Sequence, residues 1–123
     1  MLGYVMLGTN DVPRAKAFYE PIMALLGASQ VEAYTSDKRV WYGIKGAPGM
    51  LVITLPNDGA PATSGNGTMI ALPGPSHEII GQAHALAMAA GGTDEGAPGL
   101  RGEYFYGAYF RDPDGNMICL FKA

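Results

Sequence analysis

The sequence predicts an α+β chain written as two copies of a βαβββ unit, on three observations. Short apolar runs flank two stretches with helical spacing of apolar residues. Each helical stretch opens on a capping residue and closes on glycine. The landmarks of the first half then return in the second: Gly27 and Gly92 lie 65 residues apart, Asp11 and Ser76 65, Gly49 and Gly115 66. A near-constant offset across helix start, helix stop and hairpin turn is the mark of an internal duplication.

The first unit begins with the apolar run Leu2 to Leu7, ended by Gly8-Thr9-Asn10-Asp11, residues that turn the chain and cap a helix. Phe18, Ile22, Leu25 and Leu26 mark the helix, Gly27 stops it, and Pro21 inside it is expected to kink or disturb it locally. Three strands are expected at Gln30 to Tyr34, Arg39 to Lys45 and Met50 to Leu55, with turns at Ser36-Asp37 and Ala47-Pro48-Gly49. Asn57 to Asn66, rich in Gly, Pro, Ser and Thr, is a linker, so the modules are 1–56 and 67–123 of a single domain.

The second unit repeats the order. Thr68 to Leu72 is a strand turned by Pro73-Gly74-Pro75, and Ser76 caps a helix carrying Ile79, Ile80, Ala83, Leu86, Ala87 and Ala90. Thr93 to Gly102 is Gly-rich and expected as loop with at most a short edge strand. Glu103 to Arg111 and Met117 to Lys122 are strands around Asp112-Pro113-Asp114-Gly115.

Composition narrows the function classes. The chain has 123 residues, a net charge of −3 and eight basic residues scattered along it, so no basic stripe addresses nucleic acid. No apolar stretch approaches the ~20 residues of a membrane span, and the apolar N-terminus, lacking a basic region, reads as a strand. One cysteine, Cys119, excludes an intrachain disulfide; the expected location is the cytoplasm.

Gly8-Thr9-Asn10-Asp11-Val12-Pro13-Arg14-Ala15-Lys16-Ala17-Phe18-Tyr19 resembles the first strand-to-helix junction of the glyoxalase/bleomycin-resistance/dioxygenase (vicinal oxygen chelate) superfamily. Tyr109 to Asn116, with its Asp-Pro-Asp-Gly-Asn turn, is similar to that family's last hairpin, and Gly91 to Gly99 to a loop of bacterial glyoxalase-like members. The resemblance covers nearly the whole chain. It implies half-barrel modules forming a curved mixed sheet around a cleft, helices packed outside, and a homodimer.

Metal-using members of that family carry one ligand, typically His or Glu, on the first and last strand of each module. Carried over, the first-strand slot is seven residues before Asp11, at Tyr4, with its duplicate at Met69. The last-strand slot is four residues after the turn glycine, at Cys119 and, from Gly49, at Ile53. Phenol, thioether, thiol and alkyl do not make a zinc or hard-cation set, so no metal and no other cofactor is expected. The remaining cleft residues, Met6, Trp41 and Tyr109, join these four as an adaptable apolar wall for a flat or hydrophobic small molecule.

Cys119 has no histidine near it in sequence to activate it and is expected as a small core residue. His77 and His84, seven apart on the second helix, are expected on the surface or in helix packing, away from the cleft. Asp11 and Asp112 are expected as cap and turn residues. The run Tyr104 to Tyr106 with Tyr109-Phe110 makes both faces of its strand apolar, so one face is a candidate dimer contact. No catalytic residue is assigned. The leading expectation is a metal-independent binder of a small hydrophobic or aromatic molecule. Two alternatives stand beside it: a glyoxalase-like lyase, isomerase or dioxygenase with an atypical site, for which Glu32 and Glu103 are the spare acids, and a non-catalytic structural dimer.

Overall fold

The computed structural model describes residues 1–123. Its order is β1 (Tyr4–Gly8), α1 (Val12–Leu25), β2 (Ser29–Gln30), β3 (Arg39–Gly43), β4 (Met50–Thr54), β5 (Met69–Pro73), α2 (His77–Ala89), β6 (Thr93–Arg101), β7 (Phe105–Arg111) and β8 (Met117–Lys122). The strands form two four-stranded sheets, β1-β4-β3-β2 and β5-β8-β7-β6. In each, the first strand pairs in parallel with the last and the others pair antiparallel. The two sheets carry the predicted duplication strand for strand, and they do not close into a barrel within the chain.

Local chemistry sets the helix ends. The Asp11 carboxylate accepts the Arg14 N–H at 3.0 Å, and Ser76 Oγ accepts the Ile79 N–H at 3.1 Å. Gly27 (φ 85) and Gly91 (φ 100) follow the last turns in the left-handed region that glycine enters without strain. Pro21 does not interrupt α1. It lies on the exposed face, where the Ala17 carbonyl it leaves free is open to solvent, while Phe18, Tyr19, Ile22 and Met23 hold the opposite face in the core.

Two expectations need correction. The strand expected over Gln30 to Tyr34 is only Ser29–Gln30, because Val31 to Thr35 turns on itself through Tyr34 N–H to the Val31 carbonyl (3.1 Å). The stretch expected as loop from Thr93 to Gly102 is the nine-residue β6, with register shifts between Asp94 and Gly96 and between Gly96 and Gly99. Glycine composition hid it, since pairing to β7 outweighs the weak strand preference of glycine.

The core lies on the helix side of both sheets as one cluster of 17 residues drawn from both modules. Leu7, Val40, Tyr42, Leu51 and Ile53 come from the first sheet, Ala108, Phe110, Ile118 and Leu120 from the second. Phe18 of α1 meets Phe110 of β7 at a centroid separation of 5.9 Å, joining the modules.

A polar clasp makes a second joint between the modules, beside the first. Asp112, 3% exposed, accepts from four donors: its Oδ1 from the Asp114 and Asn116 N–H groups, its Oδ2 from Asn116 Nδ2 (2.9 Å) and the Tyr19 hydroxyl (2.5 Å). Asp114 accepts from Thr9 Oγ1 (2.6 Å), the Asn10 N–H (3.0 Å) and Arg14 Nη2 (2.6 Å). Asn116 Nδ2 also donates to the Gly8 carbonyl at 2.9 Å. The Asp-Pro-Asp-Gly-Asn turn of the second module thus grips the strand-to-helix junction of the first.

Candidate functional site

Because side chains alternate along a strand, the sheet faces opposite the helices are set by register. On the first sheet that open face carries Tyr4, Met6, Met50, Val52, Thr54, Arg39 and Trp41; on the second, Met69, Ala71, Met117, Cys119, Phe121, Phe105 and Tyr109. Tyr4 is 52% exposed, Met6 and Met69 each 45%, while Val52 and Cys119 are buried, so the single chain leaves this apolar surface partly uncovered at its first strands. Trp41 is its centre on the first sheet, with the Tyr4 ring at 4.8 Å and the Tyr34 ring at 5.3 Å. Tyr34 was missed as a site residue because its turn was expected as strand.

The structure puts Tyr4, Met6, Trp41, Met69, Tyr109 and Cys119 on the open faces, but not Ile53. Ile53 pairs with Leu7 and Val40 and is wholly buried in the core on the helix side. The residue equivalent to Cys119 is Val52. Tyr4 pairs with Met50 where Met69 pairs with Met117, so the repeat offset is 65 on the first strands but 67 on the last. Asn116 lengthens the second turn, and counting from the glycine slipped one residue, which on a strand flips the face.

Two hollows lie nearby. Tyr4, Met50, Met69, Ile70 and Leu72 help line an apolar groove of about 390 Å³ between the first strands of the two modules. A polar hollow of about 460 Å³ lies beside the linker, lined by Asn10, Lys38, Arg39 and residues between Leu55 and Pro61, with no aromatic wall.

The model of the Glyoxalase/Bleomycin resistance protein/Dioxygenase superfamily matches residues 1–120 of this sequence. The chain belongs to that superfamily. A glyoxalase/bleomycin resistance protein from Albidiferax ferrireducens T118 is similar to it at 39% identity and a TM-score of 0.87, over 98% of this chain and 97% of that one. Two more distant structures share the superfamily fold. A family enzyme from Burkholderia phytofirmans PsJN does so at 21% identity and a TM-score of 0.76, over 97% and 95% of the two chains. Hypothetical protein SA1046 from S. aureus does so at 22% and 0.71, over 100% and 96%. No curated protein matches the chain.

Superfamily members that use a metal need nitrogen or carboxylate donors at the slots that the register makes Tyr4, Val52, Met69 and Cys119. Those side chains do not fit a divalent ion, and nowhere do three or more His, Cys, Asp or Glu gather in a group that could hold one. Glu32 and Glu103 sit exposed on turns and not on the strands. The carboxylate at the rim of the second open face, Glu95, is bound to Arg111 at 3.0 Å.

The histidines belong to helix packing. His77 stacks on Tyr106 at 4.0 Å, and His84, 8% exposed, faces Asp94 with Nε2 to Oδ1 of 3.0 Å. The Gly96 N–H first, and His84 second, hold the Asp94 carboxyl below the usual range. Cys119 is buried, but on the open face and outside the main core cluster. Burial pushes its thiol up, partly offset by the Tyr109 hydroxyl and the Arg101 charge nearby. At neutral pH it is therefore a protonated, weakly reactive wall atom.

Proposed function

We propose that this chain binds a small hydrophobic or aromatic molecule on its open sheet faces, without a metal, as a homodimer and as a single two-module domain. One observation carries the reading: the family scaffold is retained around an apolar wall of exposed Tyr4, Met6 and Met69 with half-buried Trp41, and no metal-ligand set lies on it. Aromatic rings and thioethers adapt to flat apolar ligands at modest entropic cost.

The homodimer supports the same site. Open faces left this exposed in one chain are covered when a second copy lays one module against the other's complement, which turns two surfaces into one enclosed cleft. Retaining a lyase, isomerase or dioxygenase role would require a proton-transfer group on these faces. Their strands offer Tyr4, Tyr109 and a protonated Cys119 but no histidine, and the carboxylate at the rim, Glu95, is tied to Arg111, so binding is the better supported function.

The test uses Trp41, the only tryptophan, as reporter. Titration of the untagged chain with a neutral naphthalene ester should quench or shift Trp41 emission saturably, while metal analysis returns well under one equivalent per chain. No saturable change with any apolar aromatic probe, or a stoichiometric metal, would sink the proposal.

A further inference from the structure

The open face of the second sheet holds a cation with no counter-charge. Arg101, half-buried at the end of β6, lies with its guanidinium 5.3 Å from the centre of the Tyr109 ring. Its Nη1 donates to the Gly99 carbonyl (3.0 Å) and, more weakly, to that of Leu100 (3.5 Å); its Nη2 donates to the Ala97 carbonyl (2.7 Å). The three ion pairs of the chain are Arg14 with Asp114, His84 with Asp94 and Arg111 with Glu95. None involves Arg101.

The backbone around it is shaped to hold it. Both register shifts of β6 fall between Asp94 and Gly99, the stretch that supplies the Ala97 and Gly99 carbonyls. Bulges of this kind re-aim side chains. A Cβ on Gly96 would come within 2.9 Å of Tyr109 Cδ2 and 3.2 Å of Arg101 Nη2, and one on Gly99 within 3.3 Å of Arg101 Nη1. Glycine at both positions therefore lets the strand close on the guanidinium and the ring together.

We propose that Arg101 receives the carboxylate of the bound molecule, so that the ligand is an aromatic or apolar body bearing one carboxylate, its body on Tyr109 and the apolar wall. The inference rests on the reading of the open faces as a ligand site. The bonds to the three carbonyls leave at least two of the guanidinium's five N–H groups free, Nε–H among them. A planar fork already fixed by backbone carbonyls loses little freedom when it binds a carboxylate. Cys119, kept as a thiol beside it, adds no competing negative charge.

The experiment is isothermal titration calorimetry of the full chain with naphthoate and with its neutral methyl ester. Wild type should bind naphthoate about tenfold to a hundredfold more tightly than the ester, the range expected for a charge-assisted bond. Arg101→Met should lose that preference while keeping the ester's affinity, and Arg101→Lys should keep part of it. Should Arg101→Met fail to fold, salt replaces it: added salt should weaken naphthoate binding to wild type and leave the ester unchanged. Equal affinity for the two probes in wild type, or a preference that survives Arg101→Met or is untouched by salt, overturns the role of Arg101 alone. Failure of both probes to bind overturns the ligand-site reading along with it.

Discussion

Replacing Tyr19 by Phe tests whether the clasp between modules is energetic and not merely geometric. The Tyr19 ring is 1% exposed and stays packed in the variant, so the change isolates its hydroxyl, which donates to Asp112 Oδ2 at 2.5 Å. Its loss leaves a buried carboxylate oxygen with Asn116 Nδ2 as its remaining donor. Hydrogen bonds to charged groups contribute about 1.5–3 kcal/mol. At about 4 °C per kcal/mol for a chain of this length, Tm should fall by about 6–12 °C.

Tyr42→Phe is the matched control. Its hydroxyl also meets a carboxylate, Glu20 at 2.8 Å, but Glu20 is exposed and water replaces the lost donor, so the cost should stay below about 1 kcal/mol. The pH dependence carries a second signature. Burial first, and the Asp112 charge second, raise the Tyr19 phenol well above its ordinary value of about 10. Above that pH the unfolded chain releases the proton and the folded chain keeps it, so stability must fall as pH rises through the alkaline range. Thermal denaturation followed by circular dichroism at neutral and alkaline pH reads both effects. Tyr19→Phe should be less stable at neutral pH and lose stability less steeply above pH ~10. Equal, small losses for the two variants at neutral pH would refute the reasoning.

Three further outcomes are expected. Asp114→Ala removes the acceptor of Thr9, Asn10 and Arg14 and should cost about 2–3 kcal/mol in chemical denaturation, whereas a Lys16→Ala control on α1, two residues beyond Arg14, should change little. Cys119, 3% exposed with its thiol pushed up by burial, should react with iodoacetamide at mildly alkaline pH at least about a hundredfold more slowly in the native chain than in denaturant; comparable rates would contradict its placement. Light scattering should return a dimer mass, and Tyr4→Asp, which puts a charge on the open face, should shift the chain toward monomer without lowering its helix content.

Much of the fold was legible because its signals are local. Asp11, Ser76, Gly27 and Gly91 act through their own backbone neighbourhoods, and the helical spacing of Phe18 and Ile22 needs no knowledge of partners. The misreadings arose where tertiary context decides. β6 is a strand through its pairing to β7 despite three glycine or proline positions among its nine residues, and Val31 to Tyr34 is a turn despite strand-like composition. At the site, Tyr4 and Met69 were placed by an offset counted along one kind of strand, while Ile53 failed because a single extra turn residue reverses a face. Arg101 carried no signal of its own: its placement over Tyr109 and among the Ala97, Gly99 and Leu100 carbonyls follows from the register shifts of β6, which the sequence does not announce. The clasp is likewise invisible before folding, since Asp114 and Thr9 lie 105 residues apart.

The central claim is binding on the Tyr4–Trp41 face that needs no metal. Its most direct test is the dissociation constant of the naphthoate methyl ester, read from Trp41 emission after exhaustive treatment with EDTA and again after zinc, manganese or nickel is supplied. Saturable binding with the same constant in every condition is the predicted result. Binding that is absent after EDTA and restored by a metal would contradict the account.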